Sequence, residues 1–359
     1  MKNIFVDINI LQTLPPSNVN RDDTGSPKTA IFGGTKRSRV SSQSWKHSVR
    51  IEFKELFDNE LLGSRTKKVG EMIATEIRKL NPEISEEKAL KDAIEASNLA
   101  GLSMSKKKGK ESSSEALVFL SVAQAKALAE LITNNEKDSK LYKEALKSSP
   151  SVDMALFGRM VASDPSLNYD AAVQVAHSIS THTVNNEYDY FTAVDDCSEE
   201  DNAGAGHLGT VEFNSSTLYR YATINVSELV KNLGVTITPN VVKNFVKAFA
   251  LSMPTGKQNS FANRTFPDLI YVTIRDDQPV NLCGAFEIPV TSHNQGYRNI
   301  SAKKLAEYAE QVYTNYASAP KFELASGIVD FDIAEKKPFG ELLDELEKAI
   351  SSDLSATEV

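Results

Sequence analysis

Ile4-Phe5-Val6-Asp7-Ile8-Asn9-Ile10-Leu11 is the stretch on which the fold turns. Ile4, Val6, Ile8 and Ile10 alternate with Phe5, Asp7 and Asn9, the period-two signature of a half-buried strand, because successive strand side chains point to opposite faces. The run is too short for the apolar core of a signal peptide and carries Asp7 inside it. Beyond it, Pro, Asn, Asp and Gly from Pro15 to Gly34 predict a loop. Ser41 or Ser42 then offers an N-cap for a helix through Trp45 and Val49.

Further along, the period changes. Val69, Met72, Ile73, Ile77 and Leu80 fall on one face of a predicted helix that Pro82 breaks. Ser85 with Glu86 and Glu87 starts a second helix, and Glu115 to Thr133 predicts a third. The polar stretch Ser103 to Ser114 reads as a solvated loop; contact of Lys106, Lys107, Lys108 and Lys110 with nucleic acid is the alternative. This block is expected to be a helical insertion of low β content. Ala171 to Thr181 is predicted helical, Tyr188 to Phe213 irregular, and Leu218 to Val226 an alternating strand. Val241 to Leu251 and Ser301 to Tyr316 carry helical faces, and Leu269 to Ile274 reads as a strand. Outside the insertion this order suits an α+β sheet with helices on one face, and a ferredoxin-like or RRM-like core is one candidate.

With 359 residues, 41% hydrophobic, the chain can bury a sizeable core in two domains or one large elaborated one. Cys197 and Cys283 are too few for a disulfide framework or a cysteine-rich zinc site. No run is long enough to span a bilayer, and a cytoplasmic, reduced protein is expected. The net charge of −8 argues against a nucleic-acid partner until its distribution is considered. Lys321 to Val359 holds ten acids and four bases, which leaves −2 for the remainder. Thr24 to Ile51 holds Lys28, Lys36, Arg37, Arg39, Lys46 and Arg50 and no acid at all. A local basic stripe outweighs the chain average for phosphate binding.

That stripe contains Gly33-Gly34, cations at Lys36, Arg37 and Arg39, and then a predicted helix N-terminus, whose free N–H groups favour anions. Gln43, Lys46, His47 and Arg50 follow at helical spacing on one face. The glycine and lysine spacing is not that of a Walker loop or a dinucleotide fingerprint. A phosphodiester backbone suits the surface, and a solvated charged loop is the bland reading. Asp22 and Asp23 in Asn20-Arg21-Asp22-Asp23 could hold a divalent metal and make the protein an endoribonuclease; a polar turn is the commoner use of such residues. Phe191 to Val194 could wedge between bases, or be ordinary core. His177 and His182 do not match the helical metal-binding spacing, no triad stands out, and no cofactor is expected.

Several motifs in order resemble one family. They are Asn20-Arg21-Asp22-Asp23, Ala30-Ile31-Phe32-Gly33-Gly34, Arg39-Val40-Ser41-Ser42-Gln43-Ser44, and Val152-Asp153-Met154-Ala155-Leu156-Phe157-Gly158-Arg159-Met160. Ala176-His177, Thr181-His182, Phe191-Thr192-Ala193-Val194-Asp195-Asp196, His207-Leu208-Gly209-Thr210 and Tyr219-Arg220-Tyr221-Ala222 continue the series. Together they look like the CasC-type backbone subunit of the type I-E CRISPR surveillance complex, Cascade. The resemblance implies an RRM-like palm in residues 1–55, 151–183 and 218–320, a helical fingers insertion in 56–150, a thumb in 184–217 and an acidic C-terminal region in 321–359. It implies a non-catalytic antiviral ribonucleoprotein in which copies of the chain line one CRISPR RNA beside other Cascade subunits. Each thumb would displace a base, leaving the rest to pair with target DNA. The implied backbone contacts are Arg21, Lys28, Ser41, Gln43, Lys46, Arg50 and Lys257. Met160 would lie against bases, and Phe191, Thr192 and Val194 would form the thumb wedge. His47 and Thr35 stand where the family commonly has cations.

Overall fold

The computed structural model describes residues 3–102, 104–105, 113–114, 117–161, 163–193 and 207–356. The chain divides into two compact units, one of Arg50–Gln174 and Ile224–Asn244, the other of Lys2–Val49, Val175–Thr223 and Phe245–Val359. No helix among the described residues is long and apolar enough to cross a membrane.

The second unit is built on a mixed sheet. The alternating stretch becomes a strand, Phe5–Ser17, which runs on through Pro15 and Pro16. From one edge the strand order is Glu335–Lys336, Phe322–Gly327, Leu269–Arg275, Phe5–Ser17, His207–Asn225, Ser178–Ser180, Thr35–Val40 and Thr29–Phe32. Leu269–Arg275 pairs antiparallel with the first strand, setting Val6 against Ile274, Ile8 against Val272 and Ile10 against Ile270.

The first strand is not half-buried, as its alternation predicts. Asp7 and Asn9 are as deeply buried as Val6, Ile8 and Ile10. Each finds partners there: Asp7 accepts from the Tyr221 hydroxyl and the Val280 N–H, both at 2.8 Å, and Asn9 accepts from the Tyr219 hydroxyl at 2.7 Å. Burial pushes the Asp7 carboxyl above its usual range. The cause of this double burial is a further layer. Ala302, Leu305 and Ala309 of helix Arg298–Asn315 join a core with Leu11, Tyr219 and Tyr271. Arg220, next to Tyr219 and therefore on the opposite face, meets Trp45 of helix Ser42–Leu56 and Phe249 of helix Thr238–Leu251. Helices thus cover both faces of the sheet, where one was expected.

Arg220 is fully buried. Its guanidinium carbon lies 3.7 Å from the Trp45 ring centroid and 4.6 Å from that of Phe249. It donates to Gln12 Oε1 at 2.6 Å and to the Phe249 carbonyl. Trp45 in turn donates from Nε1 to Ser178 Oγ at 2.9 Å. Burial lowers the Arg220 pKa to about 9, which leaves it charged at neutral pH.

Several predicted elements change identity. Ala171 to Thr181 is not a helix but two short strands, Val173–Val175 and Ser178–Ser180. Its β-branched residues suit either state, and pairing of Ile179 with both Tyr219 and Arg39 decides for strand. The loop from Pro15 to Gly34 contains the strand Thr29–Phe32, which forms a hairpin with Thr35–Val40. Gly33 and Gly34 make its two-residue turn, both at positive φ. Within 188–213 the described residues, 188–193 and 207–213, are not irregular. Glu187–Ala193 pairs antiparallel with His207–Phe213, and Glu187–Ala193 is exposed on both faces and therefore without apolar alternation. The acidic C-terminal region supplies two strands and helix Phe339–Ser355, which buries Leu342, Leu343, Leu346, Ile350 and Leu354.

In the first unit, helices Val69–Leu80, Glu86–Leu99, Val122–Thr133 and Ser139–Lys147 share one apolar core. The predicted helix from Glu115 begins only at Val122. Ser121 caps it in a capping box with Gln124, and Val118–Ser121 is a strand paired with Gly63–Thr66. Helix Ser139–Lys147, capped by Asp138, went unpredicted. Arg159 is buried, donating to the Leu146 and Leu167 carbonyls at 2.8 and 2.7 Å, with Tyr169 beneath its guanidinium.

Replacing Arg220 by Ala removes both ring contacts and strands two acceptors. An unfolding free-energy loss of about 2–5 kcal/mol is expected, and Arg220→Lys, which cannot reproduce the planar fork, recovers only part of it. Urea unfolding of the three proteins checks this.

Candidate nucleic-acid interface

The start of helix Ser42–Leu56 is where the basic stripe acquires a shape. Ser41 is buried; its carbonyl accepts from the Ser44 and Trp45 N–H groups at 3.0 and 3.2 Å, and its own N–H donates to Asn20 Oδ1 at 2.9 Å. Lys28 is locked beside it. The Lys28 N–H donates to the Asn20 carbonyl and its carbonyl accepts from the Arg39 N–H, both at 2.9 Å. Lys28 Nζ then donates to Ser41 Oγ at 3.3 Å. Arg39 Nη1 lies 3.5 Å from Ser41 Oγ and 3.3 Å from His177 Nδ1. The same His177 nitrogen accepts from the Ser42 N–H at 3.3 Å.

Two cations, a serine hydroxyl, an asparagine and an imidazole therefore converge on one helix N-terminus. Burial, with the nearby charges of Arg39 and Lys28, holds the His177 pKa below its usual value. The neutral ring keeps Nδ1 free to accept. Such a concentration of donors and positive charge at a helix start favours an anion. On the same helix Gln43 and His47 are exposed and Lys46 is half-buried, with burial pushing its ammonium pKa down.

Other members of the stripe have different uses. Arg37 is fully buried and donates to the carbonyls of Ser180, Phe286 and Glu287, so it cannot meet a ligand. Gly33 does permit a close backbone approach, but to Glu287: a Cβ at Gly33 would fall 1.7 Å from the Glu287 carbonyl oxygen. Arg50 belongs to the first unit. There its Nη2 lies 3.0 Å from Asp153 Oδ2 and its guanidinium sits 4.7 Å from the Phe119 ring centroid.

Arg21 is exposed at the head of a turn closed by bridging of Arg21 with Pro27. Asp22 is spent on that turn: its Oδ1 accepts from the Thr24 hydroxyl at 2.7 Å, the Thr24 N–H at 2.9 Å and the Ser26 N–H at 3.0 Å. These bonds, led by the Thr24 hydroxyl, hold its carboxyl below the usual range. Among the described residues no group of three or more His, Cys, Asp or Glu is placed to hold a metal ion. Lys257 adopts a left-handed conformation, φ 51°, as the N-cap of helix Gln258–Phe261. The preceding Gly256 packs so tightly that a Cβ would lie 2.3 Å from the Val19 carbonyl oxygen, bringing the Lys257 and Arg21 segments side by side.

The hairpin Glu187–Ala193/His207–Phe213 carries Phe191 opposite Gly209. The Phe191 ring lies across the glycine, where a Cβ would come within 2.4 Å of it, and is still 42% exposed. Thr192 is exposed opposite Leu208. Val194 lies outside the described residues. Met160, in the first unit, is 81% exposed immediately after the buried Arg159.

Lys28 and Ser41, both expected at the interface from the sequence, come together in the structure. Arg39, one of the cations of the stripe, joins them, whereas the roles of Asn20 and His177 were not legible. Asn20 and His177 appeared in the motif series, but no spacing rule connects residues that meet only across a sheet.

The profile of the CT1975-like protein family matches residues 6–349. No curated protein matches the chain. Among solved structures, a chain of "CRISPR RNA-guided surveillance complex, pre-nicking" is 32% identical, with a TM-score of 0.81, covering 96% of this chain and 100% of that one. A chain of another "CRISPR RNA-guided surveillance complex" is 30% identical, with a TM-score of 0.64, covering 96% and 99%. With its profile spanning nearly the whole sequence, the chain belongs to the CT1975-like protein family.

Proposed function

We propose that this chain is a CasC-type backbone subunit of a type I-E CRISPR surveillance complex, holding a CRISPR RNA without cutting it. The observation that carries the reading is the convergence of Asn20, Lys28, Arg39, Ser41 and His177 on the N-terminus of helix Ser42–Leu56. Similarity over 96% of the chain to members of RNA-guided complexes supports RNA as the anion. The strand order Leu269–Arg275, Phe5–Ser17, His207–Asn225, Ser178–Ser180 supports an RRM-like palm, with helices following the first and third of these strands in sequence.

In this reading the RNA backbone runs past Lys28, Ser41, Gln43 and Lys46, with Arg39 added to the expected set and Arg21 and Lys257 on the adjacent turn. The grip is on phosphate and carries no sequence preference. The exposed hairpin is the thumb, and Phe191 is the group that takes a base out of the stack. Met160 rests against bases. Copies of the chain line the RNA, in company with other complex subunits, and the undisplaced bases pair with target DNA.

Lys28→Ala with Lys46→Ala should weaken RNA binding equally for any guide. The slope of log affinity against log salt should fall by about 0.7 per lost contact, as for single strands. Unchanged affinity and slope would remove both lysines from the interface. Arg50→Ala should instead lower the unfolding midpoint, because it leaves the buried Asp153 carboxylate without its cation. Labelled RNA incubated with the protein and Mg²⁺ should stay intact; cleavage that disappears in Asp22→Ala would reverse the non-catalytic reading. Phe191→Ala should retain the salt-dependent grip and lose the fluorescence rise of 2-aminopurine at displaced positions of a bound guide.

A further inference from the structure

Two elements assigned to the RNA are joined through one carboxylate. Glu212 lies in strand His207–Asn225, opposite Tyr188 and three residues from the Gly209 that faces Phe191. At about 3.3 Å per residue, it stands about 10 Å along the hairpin from the proposed wedge. Glu212 Oε1 accepts from Ser26 Oγ at 2.8 Å and Oε2 accepts from Asn186 Nδ2 at 3.0 Å. Its main-chain carbonyl accepts from Asn18 Nδ2 at 2.9 Å, and the same amide nitrogen donates to the Gly25 carbonyl at 3.0 Å. Ser26 and Gly25 belong to the Arg21 turn, and Asn186 enters the hairpin.

The bonds continue toward the helix start. Asn214 Nδ2 donates to Asn186 Oδ1 at 3.1 Å, and Ser38 Oγ donates to Asn214 Oδ1 at 3.2 Å. Ser38 lies in the strand that leads to Ser41. The Arg21 turn, the hairpin base and the helix start are thus linked by side-chain amides, hydroxyls and one acid. An acid beside a phosphate path works against affinity, so its contribution here lies in geometry: one side chain accepting from two separate elements at once.

Resting on the RNA-backbone reading, we infer that Glu212 is a positioning residue. It fixes the distance between the Arg21 turn and the Phe191 hairpin, and so which nucleotide is displaced relative to the gripped phosphates. Gln can keep both bonds, accepting from Asn186 and donating to the Ser26 hydroxyl; Ala keeps neither.

The test uses the full chain bound at saturation to guide RNAs carrying 2-aminopurine at successive positions. Wild type should brighten at sharp, regularly spaced positions. Glu212→Ala should bind yet lose or shift that register, Glu212→Gln should restore it, and Ser26→Ala should blur it without touching the hairpin. Ser26→Ala also keeps the question open to experiment if Glu212→Ala fails to fold. An unchanged register in both Ala variants, beside a regular wild-type pattern, would overturn the positioning role alone. A wild type with no regular pattern would instead overturn base displacement, and this inference with it.

Discussion

A buried guanidinium between two aromatic rings is the constraint on which the rest of the second unit depends. Arg220 contacts Trp45, Phe249 and Gln12. Those residues come from two helices and the first strand, and Arg220 from the strand next to it. A charge so placed would be costly without compensation. Two hydrogen bonds and two ring faces supply the compensation, and none of the four contributing elements can slide without losing it. Trp45 lies four positions after Ser41, about one helical turn, so the orientation of the helix start follows directly from the Arg220 stack.

The arginines of this chain show that residue type says little about use until burial is known. Arg37, Arg159 and Arg220 are interior cross-links, each donating to main-chain carbonyls. Arg50 sits over a ring with an aspartate at its end. Arg39 remains at the helix start beside Lys28 and His177. A stripe that reads as six equivalent cations therefore separates into an interior part and a surface part. Only the surface part can touch an anion directly; the interior charges reach it through the field alone.

The central strand, the helix with its serine start and the Leu269–Arg275 strand were legible because each is marked locally, the first by alternation, the helix by its cap residue and the last by a short apolar run. The hairpin was not, since Tyr188, Asp189, Tyr190 and Phe191 are all exposed and leave no apolar period to detect. The Val173–Val175 and Ser178–Ser180 strands were hidden for the opposite reason: their spacing fits a helix, and only pairing with neighbours distant in sequence makes them strands. At the candidate site, the serine at the helix start was readable. His177 was not, because its contacts with Arg39 and Ser42 span more than a hundred residues of chain.

The pairing of Phe5 with Arg275 sets a schedule as well as a register. On a ribosome adding about 5–20 residues per second, the first strand waits on the order of tens of seconds for that neighbour. The four-helix cluster between Val69 and Lys147, whose contacts are closer in sequence, has no comparable delay. During the wait Val6, Ile8 and Ile10 form part of a naked β-prone segment of the kind that sticks to other nascent chains. Asp7 and Asn9 interrupt it. The same two polar side chains that are satisfied inside the finished sheet are the ones that keep its oldest strand wettable while it is alone.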